Sequence, residues 1–170
     1  MRPVPWQRHI SYWRCIACGE CCKHYTVNID FADYVRITKT YGPEVAGPGL
    51  TGCYLKKRPD GRCVFQYYMA GSHWLCGLQH MKPKVCRLWP FKVLSEPTYG
   101  REKDARYSFN DRTYYVYVDP YCRGIIWGDL SLEFIDATVP EFIQLAIGRT
   151  EKQTRSTSSL SFAQPILLRI

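Results

Sequence analysis

The stretch that decides this fold is Cys15-Ile-Ala-Cys-Gly-Glu-Cys-Cys22, which places four cysteines within eight residues. A Cys-x-x-Cys step lets two sulfurs turn towards one metal centre, and the run takes that step from Cys15 to Cys18 and again from Cys18 to Cys21. We therefore expect an α+β domain that is small, irregular and loop-rich. It should have few helices and a small antiparallel sheet, organised around cysteine-ligated metal centres.

Five more cysteines follow the run: Cys53, Cys63, Cys76, Cys86 and Cys122. Nine cysteines in 170 residues is a lower density than the roughly 8–10% typical of disulfide scaffolds. The first residues lack the apolar segment of a secretory signal, so we expect a cytoplasmic protein, in which thiols stay reduced. Clustered cysteines then favour metal binding, with disulfides and inert core thiols as the alternatives.

The adjacent pair Cys21 and Cys22 suggests more than one centre, because neighbouring side chains usually point in different directions. If the run were helical, at about 100° per residue, Cys15, Cys18 and Cys22 would share a face and Cys21 would lie off it. The two neighbours are therefore predicted to serve different centres. Eight cysteines suffice for two centres and leave one over, and one centre with spare thiols is the alternative.

The spacing favours iron–sulfur clusters over zinc. Structural zinc usually takes two Cys-x-x-Cys knuckles, or one knuckle with a histidine pair, whereas here single cysteines follow one tandem run. We expect one or two [4Fe-4S] clusters, with zinc as the alternative cofactor. His24, His73 and His80 are possible further ligands, although a lone histidine is more often an ordinary surface or core residue.

A second dense motif runs from Cys76 to Phe91. Pro83 fixes a turn ahead of Cys86. Lys82 and Arg87 are predicted to support a bound cofactor by donating hydrogen bonds to sulfur or by offsetting cluster charge. Trp89 and Phe91 either cover the centre and exclude water or simply belong to the core.

The formal net charge is +8 at pH 7. A basic balance indicates either an ordinary solvated surface or attraction to nucleic acid or an acidic protein. A [4Fe-4S] cluster with four thiolates carries about −2 when oxidised and would cancel part of the excess. Apolar runs of roughly 18 residues are missing, so no membrane span is expected.

Regular elements are predicted where local signals are strong. Asp30 is a good N-cap for a helix from Phe31 to Tyr41, and the β-branched and aromatic run Arg112–Val118 indicates a strand. Cys63–Tyr68 indicates a shorter strand, and a partner strand is expected between Val93 and Ser108. A last helix is expected to begin at Pro140, with Thr138 and Glu141 as a capping box.

These elements predict one cysteine-cluster domain over residues 1–148, with its motif region at about 15–130. Residues 149–170 are expected to form a linker and an apolar C-terminal tail. The tail, residues 162–170, is predicted either to dock on the core or to bind a larger protein partner.

At these residues the chain resembles the family named for its CxxCxxCC motif, a family of zinc- or iron-chelating proteins. The tandem run is complete, a helix follows it, and Cys76 and Cys86 have the family's separation. Lys82-Pro83 stands in place of the family's Arg-Pro, and Cys122-Arg-Gly124 in place of its Cys-Pro-Gly. The resemblance covers about residues 15–130.

The resemblance implies a ligand set. Both Cys53 and Cys63 fit the family's middle cysteine, and we take Cys63 as the ligand and Cys53 as the spare. The predicted metal ligands are then Cys15, Cys18, Cys21, Cys22, Cys63, Cys76, Cys86 and Cys122. Some bacterial lysine N-methylases that act on flagellin resemble the chain at this motif, but they are longer and use S-adenosylmethionine. This chain shows no cofactor-binding segment of that kind.

The sequence thus predicts a cluster-binding electron-transfer or accessory protein for a larger enzyme or complex, rather than an independent enzyme, because no catalytic constellation is visible. A zinc-dependent structural module that binds RNA or a ribonucleoprotein is the second interpretation. A small methyltransferase or redox enzyme is the third.

Overall fold

The computed structural model describes residues 2–50, 52–69 and 73–157. Its strands are β1 (Val4–Pro5), β2 (Ile10–Trp13), β3 (Asn28–Ile29), β4 (Ala46–Gly49), β5 (Gly52–Leu55), β6 (Gln66–Met69), β7 (His73–Cys76), β8 (Phe91–Leu94), β9 (Arg106–Phe109), β10 (Arg112–Val118) and β11 (Ile125–Trp127). Its helices are α1 (Glu20–His24), α2 (Phe31–Tyr41), α3 (Lys84–Leu88), α4 (Glu102–Ala105) and α5 (Val139–Ala146). Short 3-10 turns lie at Pro43–Val45 and Gln79–Met81, and a π-helix spans Phe134–Thr138.

The strands form small antiparallel sheets. In the largest, β10 pairs with β1, β8 and β9, while β3, β5 and β4 form a second sheet in that order. β2 pairs with β11 and β6 with β7, and every pairing is antiparallel. The chain is therefore a small, irregular α+β domain, as predicted. No helix in the described part of the chain is both long enough and apolar enough to cross a membrane.

Two predicted elements have the bounds that local signals indicated. The helix Phe31–Tyr41 is α2, and the Asp30 carboxylate accepts a 2.7 Å hydrogen bond from the Asp33 N–H at its start. The strand Arg112–Val118 is β10, which buries its last three residues, Val116 to Val118. Both elements form where a cap or a β-branched run dominates the local energetics.

Two predicted boundaries are wrong. Thr138 does not cap a helix, because its backbone is already helical and the π-helix Phe134–Thr138 leads directly into α5. The carboxylate of Glu141 instead accepts a 2.7 Å hydrogen bond from Arg155. The strand expected at Cys63–Tyr68 begins at Gln66, because the chain turns there and the Gln66 N–H bonds to the Cys63 carbonyl at 2.9 Å.

Two hydrophobic cores hold the domain together. In the first, aromatic residues from four parts of the chain meet: Trp13, Phe91, Phe134 and Phe142. The second lies between α2 and the β3–β5–β4 sheet and contains Ile29, Ile37, Leu55 and Leu78. Cysteines pack against both cores, so the cysteine-rich region lies where the cores meet.

The first core is expected to depend on Phe142. Its ring is fully buried and stacks on the ring of Phe91, with 3.9 Å between the ring centroids. It also meets the Trp13 ring edge-on, with 5.1 Å between the centroids. Phe142→Ala should reduce the free energy of unfolding by about 3–5 kcal/mol, measured by urea denaturation. Phe31→Ala is the matched control, since Phe31 is 73% exposed, and should change it by about 0.5 kcal/mol. Equal effects of the two variants would contradict this view of the core.

Residues 149–157, here called the strap, lie against the body of the domain. The Arg155 carbonyl accepts a 3.1 Å hydrogen bond from the Cys15 N–H, and the Gln153 amide donates to the Arg87 carbonyl at 2.7 Å. Gln153, Ser156 and Thr157 are buried. This part of the predicted linker therefore packs beside the cysteine-rich region, whereas the apolar tail 162–170 lies outside the described residues.

Candidate metal centre

One cavity of about 570 Å³ lies between the two cores. Eight of the nine cysteines line it: Cys15, Cys18, Cys21, Cys22, Cys63, Cys76, Cys86 and Cys122. The ninth, Cys53, lies in β5 and is not part of the lining. All nine are free thiols, so the cavity presents eight sulfurs that no disulfide occupies. These eight are the residues that the sequence predicted as ligands.

The two parts of the tandem run differ in backbone structure: Cys15 and Cys18 lie in an irregular segment, and Cys21 and Cys22 lie in a helix. After β2 the chain is irregular, and Ala17 and Gly19 both adopt the left-handed region, with φ of 54° and 75°. The helix α1 begins only at Glu20, so Cys15 and Cys18 do not share a helical face with Cys22. Within α1 the Cys21 and Cys22 sulfurs lie 3.8 Å apart.

A hairpin supplies two more thiols. Residue 76 ends β7 and pairs with Gln66 of β6, and the Gln66 N–H bonds to the carbonyl of Cys63. The Cys63 N–H in turn donates to the Cys22 carbonyl at 2.9 Å. These backbone contacts bring cysteines that are far apart in sequence next to α1.

The second motif closes another side of the cavity. Pro83 directly precedes α3, and its carbonyl accepts a 3.0 Å hydrogen bond from the Cys86 N–H. Trp89 lines the cavity and packs on Tyr25 at 4.3 Å between ring centroids. Phe91 belongs to the first core. Of the two roles that the sequence left open, Trp89 therefore covers the cavity and Phe91 belongs to the core.

The Cys122 thiol is held in place by Trp13, a residue of the first core. Cys122 follows β10, and its sulfur accepts a 3.2 Å hydrogen bond from the indole N–H of Trp13. Sequence reasoning did not identify Trp13 as a site residue, since a tryptophan in a strand reads as ordinary core. Its position beside the cavity depends on the pairing of β2 with β11.

The cavity favours the neutral form of its thiols. Burial raises the pKa of Cys63 and of Cys122 to about 11, and it also raises the pKa of Cys76 and Cys86. For Cys21 the hydrogen bond with Cys22 is the largest cause of a raised pKa, followed by burial. These five thiols are therefore protonated at neutral pH in the metal-free protein, and a metal must displace those protons to bind them.

Metal affinity is accordingly expected to rise with pH. Each thiol that becomes a ligand releases its proton, so the apparent association constant should increase roughly tenfold per pH unit for each proton displaced. Competition with a chelator between about pH 6.5 and about pH 8, both below the raised pKa values of about 11 for Cys63 and Cys122, measures this slope. An affinity independent of pH would show that the cavity thiols are not the ligands.

The predicted supporting residues differ in position. The Lys82 ammonium lines the cavity, where its charge opposes the burial effect on the pKa of Cys21, Cys76 and Cys86. Arg87 instead donates to the carbonyl of Glu151 in the strap at 3.3 Å. Lys82 is thus placed to offset negative charge on the cavity thiolates, and Arg87 to fasten the strap.

The predicted histidines contribute little to the lining. His24 lies at the cavity and bonds to the Glu20 carboxylate at 2.8 Å, with its side chain 60% exposed. His80 lines a separate cavity of about 350 Å³, and His73 is exposed at the start of β7. Within residues 2–50, 52–69 and 73–157, no three His, Cys, Asp or Glu side chains gather closely enough to hold a single ion as they stand.

Taken by its chemistry, the donor set fits soft metal centres. Eight thiols face a cavity whose other walls include Leu75, Leu78 and Trp89, and thiolates are the ligands of zinc and of iron–sulfur clusters.

A further residue supports the cavity wall without being a ligand. Gln66 is 2% exposed, and its amide donates to the Gly19 carbonyl at 2.9 Å. No sequence signal marks this glutamine.

Comparison with known proteins agrees with this chemistry. Residues 14–123 match the CxxCxxCC family, described as "Putative zinc- or iron-chelating domain". No curated protein and no solved structure matches the chain. The family match spans well over half of the 170 residues and includes all eight cysteines of the cavity. The chain therefore belongs to the CxxCxxCC family of zinc- or iron-chelating domains and is a metal-binding cysteine-cluster protein.

Proposed function

We propose that the protein holds one or two [4Fe-4S] clusters in the cysteine cavity and serves a larger enzyme or complex as an electron-transfer, accessory or assembly subunit. The observation that carries this proposal is the lining of one cavity of about 570 Å³ by eight of the nine cysteines. When bound, such clusters supply one-electron chemistry.

The size of the cavity supports clusters over a single ion. A zinc ion binds sulfur at about 2.3 Å, so its four thiolates lie within about 4 Å of one another. The described cysteines are not gathered around one point in that way, yet they surround a common space. Larger inorganic units match this spread better than a mononuclear site does.

The surroundings also suit a buried anionic cluster. The apolar side chains of Leu75 and Leu78, which are 1% and 0% exposed, form part of the wall. The ammonium of Lys82 reduces the cost of negative charge at several of the sulfurs. A cluster held here would have its potential raised by that cation relative to a site without it.

Analysis of protein purified without oxygen tests the proposal. We expect iron and acid-labile sulfide in equal amounts, about four of each per cluster, with the visible absorption of thiolate-bound clusters and an EPR signal after reduction. Protein from the same preparation that contains stoichiometric zinc, and neither iron nor sulfide, would overturn it.

A zinc-dependent structural module is the second candidate, and one observation favours it. The Cys21 and Cys22 sulfurs are 3.8 Å apart, close to the edge of about 3.8 Å expected for a tetrahedral zinc–thiolate site with bonds of about 2.3 Å. The net charge of +8 would then support binding to RNA. In that case RNA affinity should fall steeply with added salt.

We further propose a cytoplasmic location, in which the nine free thiols stay reduced, and a protein partner. Support for a partner comes from large apolar side chains exposed at and after β11, namely Ile126, Trp127 and Leu132 at 57%, 50% and 76%. We likewise propose that residues 1–148 form one cysteine-cluster domain. The tail, residues 162–170, is proposed either to dock on the core or to bind that partner.

A further inference from the structure

A second cavity, of about 350 Å³, is lined by residues of α2, the 3-10 turn Gln79–Met81, α3 and the strap. Its described lining carries four cationic side chains: Arg36, Lys82, Arg87 and Lys152. Glu151 supplies the one carboxylate of that lining. We call this cavity the basic pocket. Like charges held around one concave space repel one another, so the pocket attracts an anion.

The carboxylates near these cations neutralise only part of the positive charge. A carboxylate oxygen of Glu151 lies 3.7 Å from a guanidinium nitrogen of Arg87, but the Glu151 side chain is 84% exposed, so this ion pair is weak. Arg36 forms an ion pair with Asp33 on its own helix. Four cations thus face two carboxylates, and the basic pocket keeps a net positive charge.

The basic pocket also contains hydrogen-bonding groups that have no partner in the described part of the chain. Gln79 lines the pocket, and both the nitrogen and the oxygen of its amide are buried without a hydrogen bond. The buried Nε of Arg87 is likewise unpaired among the described residues. Buried polar groups in folded proteins nearly always have a partner. A ligand that suits this pocket should therefore offer several acceptors and at least one donor.

We propose that the basic pocket binds the phosphate group of a small molecule, either free phosphate or a phosphate monoester. A phosphate group carries about −1.5 to −2 charges at neutral pH and has three strong acceptor oxygens, which suit the cations of the pocket and the guanidinium of Arg87 above all. Because its second pKa is about 6, part of the phosphate keeps a proton, so it can donate to the Gln79 amide oxygen and accept from the amide nitrogen. A volume of about 350 Å³ is at the lower end for small-molecule sites, which suits a phosphate with at most a short organic group.

The basic pocket adjoins the cysteine cavity, since Lys82 and Gln153 line both. No cysteine lines the described part of the pocket, so phosphate binding there does not depend on which metal the larger cavity holds. Lys82 also supports the cavity thiolates, and the variants that test the pocket therefore leave it in place. The residues to replace are Arg87, whose side chain is 18% exposed, and Arg36 on α2.

Calorimetric titration of the purified protein at constant ionic strength tests this site. Inorganic phosphate and glycerol phosphate are the probes, and at least one of them should bind saturably at one site per chain. Arg87→Gln should weaken that binding roughly tenfold or more, because a hydrogen bond between two charged groups is lost from a largely buried position. Tighter binding of glycerol phosphate would identify a monoester as the ligand, and equal or tighter binding of inorganic phosphate would identify free phosphate.

Arg36→Gln is the second variant, so that the test does not depend on the folding of a protein whose strap has lost its contact with Arg87. It should weaken phosphate binding about threefold, a smaller effect because the Arg36 side chain is 44% exposed. Lys39→Gln is the matched control. It removes one positive charge from the same helix, but Lys39 is exposed and does not line the pocket, so the affinity for phosphate should not change.

Sulfate separates phosphate recognition from general attraction of anions. It resembles phosphate in charge and size, but at neutral pH it has no proton to donate to the amide oxygen of Gln79, so it should bind more weakly than the better phosphate probe. Equal binding of sulfate would overturn the assignment to phosphate. Failure of both probes to bind the unaltered protein, or equal effects of Arg36→Gln and Lys39→Gln, would overturn the site itself.

Discussion

Replacing Cys86 with alanine is expected to remove metal from the protein and to lower its melting temperature by about 6–12 °C. The Cys86 thiol lies in the cavity on α3, among Cys76, Cys63 and Cys21. A structural site with four thiolates contributes roughly 10–16 kcal/mol, so the loss of one ligand should cost about 3 kcal/mol or more. For a chain of this size each kcal/mol corresponds to about 2–4 °C. Metal analysis and thermal melting of the same sample measure both effects.

The matched control is Cys53→Ala. Cys53 is half-buried in β5, between Ile29 and Pro48 of the adjacent strands, and lies outside the cavity lining. Its replacement should leave the metal content unchanged and cost about 1 kcal/mol. Cys18→Ala should behave like Cys86→Ala. If the Cys53 variant lost as much metal as the other two, the cavity would not be the metal site.

The parts of the fold that could be predicted are those in which local energetics decide. Asp30 caps α2 whatever lies across the domain, because its carboxylate satisfies an N–H that the first helical turn leaves unpaired. The alternation of β-branched and aromatic residues in β10 is similarly local. The cysteines could be recognised as a set for another reason, since thiolates at this spacing have few other uses.

The rest depends on contacts between distant residues. Thr138 and Glu141 have the spacing of a capping box, but the preceding residues continue as a π-helix and Arg155 binds the carboxylate. Ala17 adopts the left-handed backbone conformation, with φ of 54°, which is uncommon for alanine and which the neighbouring residues do not predict. The docking of the strap could not be predicted either, since its Ser/Thr-rich composition is typical of a linker.

The same limit applies inside the cavity. The order of cysteines along the chain separates Cys15 from Cys122, and only the pairing of β2 with β11 brings them together. The sequence also gives no sign that Gly19 packs against the β6–β7 hairpin, where its carbonyl accepts a 2.9 Å hydrogen bond from the Gln66 amide. Spacing therefore predicts which cysteines are candidate ligands, whereas the sheets determine which of them lie near one another.

Gly19→Ala is expected to be among the most damaging single substitutions outside the cysteines. Gly19 has φ of 75°, and an added Cβ would lie 2.2 Å from the Gln66 amide nitrogen and 2.6 Å from the Trp74 Cβ. The left-handed backbone alone costs alanine about 1 kcal/mol. Displacing Gln66 would also break its buried 2.9 Å bond to the Gly19 carbonyl, which adds about 1–3 kcal/mol. A total of about 2–4 kcal/mol should lower the melting temperature by about 4–16 °C.

Gly61→Ala separates the two causes of that loss. Gly61 has nearly the same backbone, with φ of 80°, but a Cβ there meets no atom within 4 Å. Its replacement should therefore cost only the conformational part, about 1 kcal/mol, and should leave the metal content unchanged. The difference between the two variants measures the contact between the tandem run and the hairpin. Equal melting temperatures would mean that this contact does not hold the run in place.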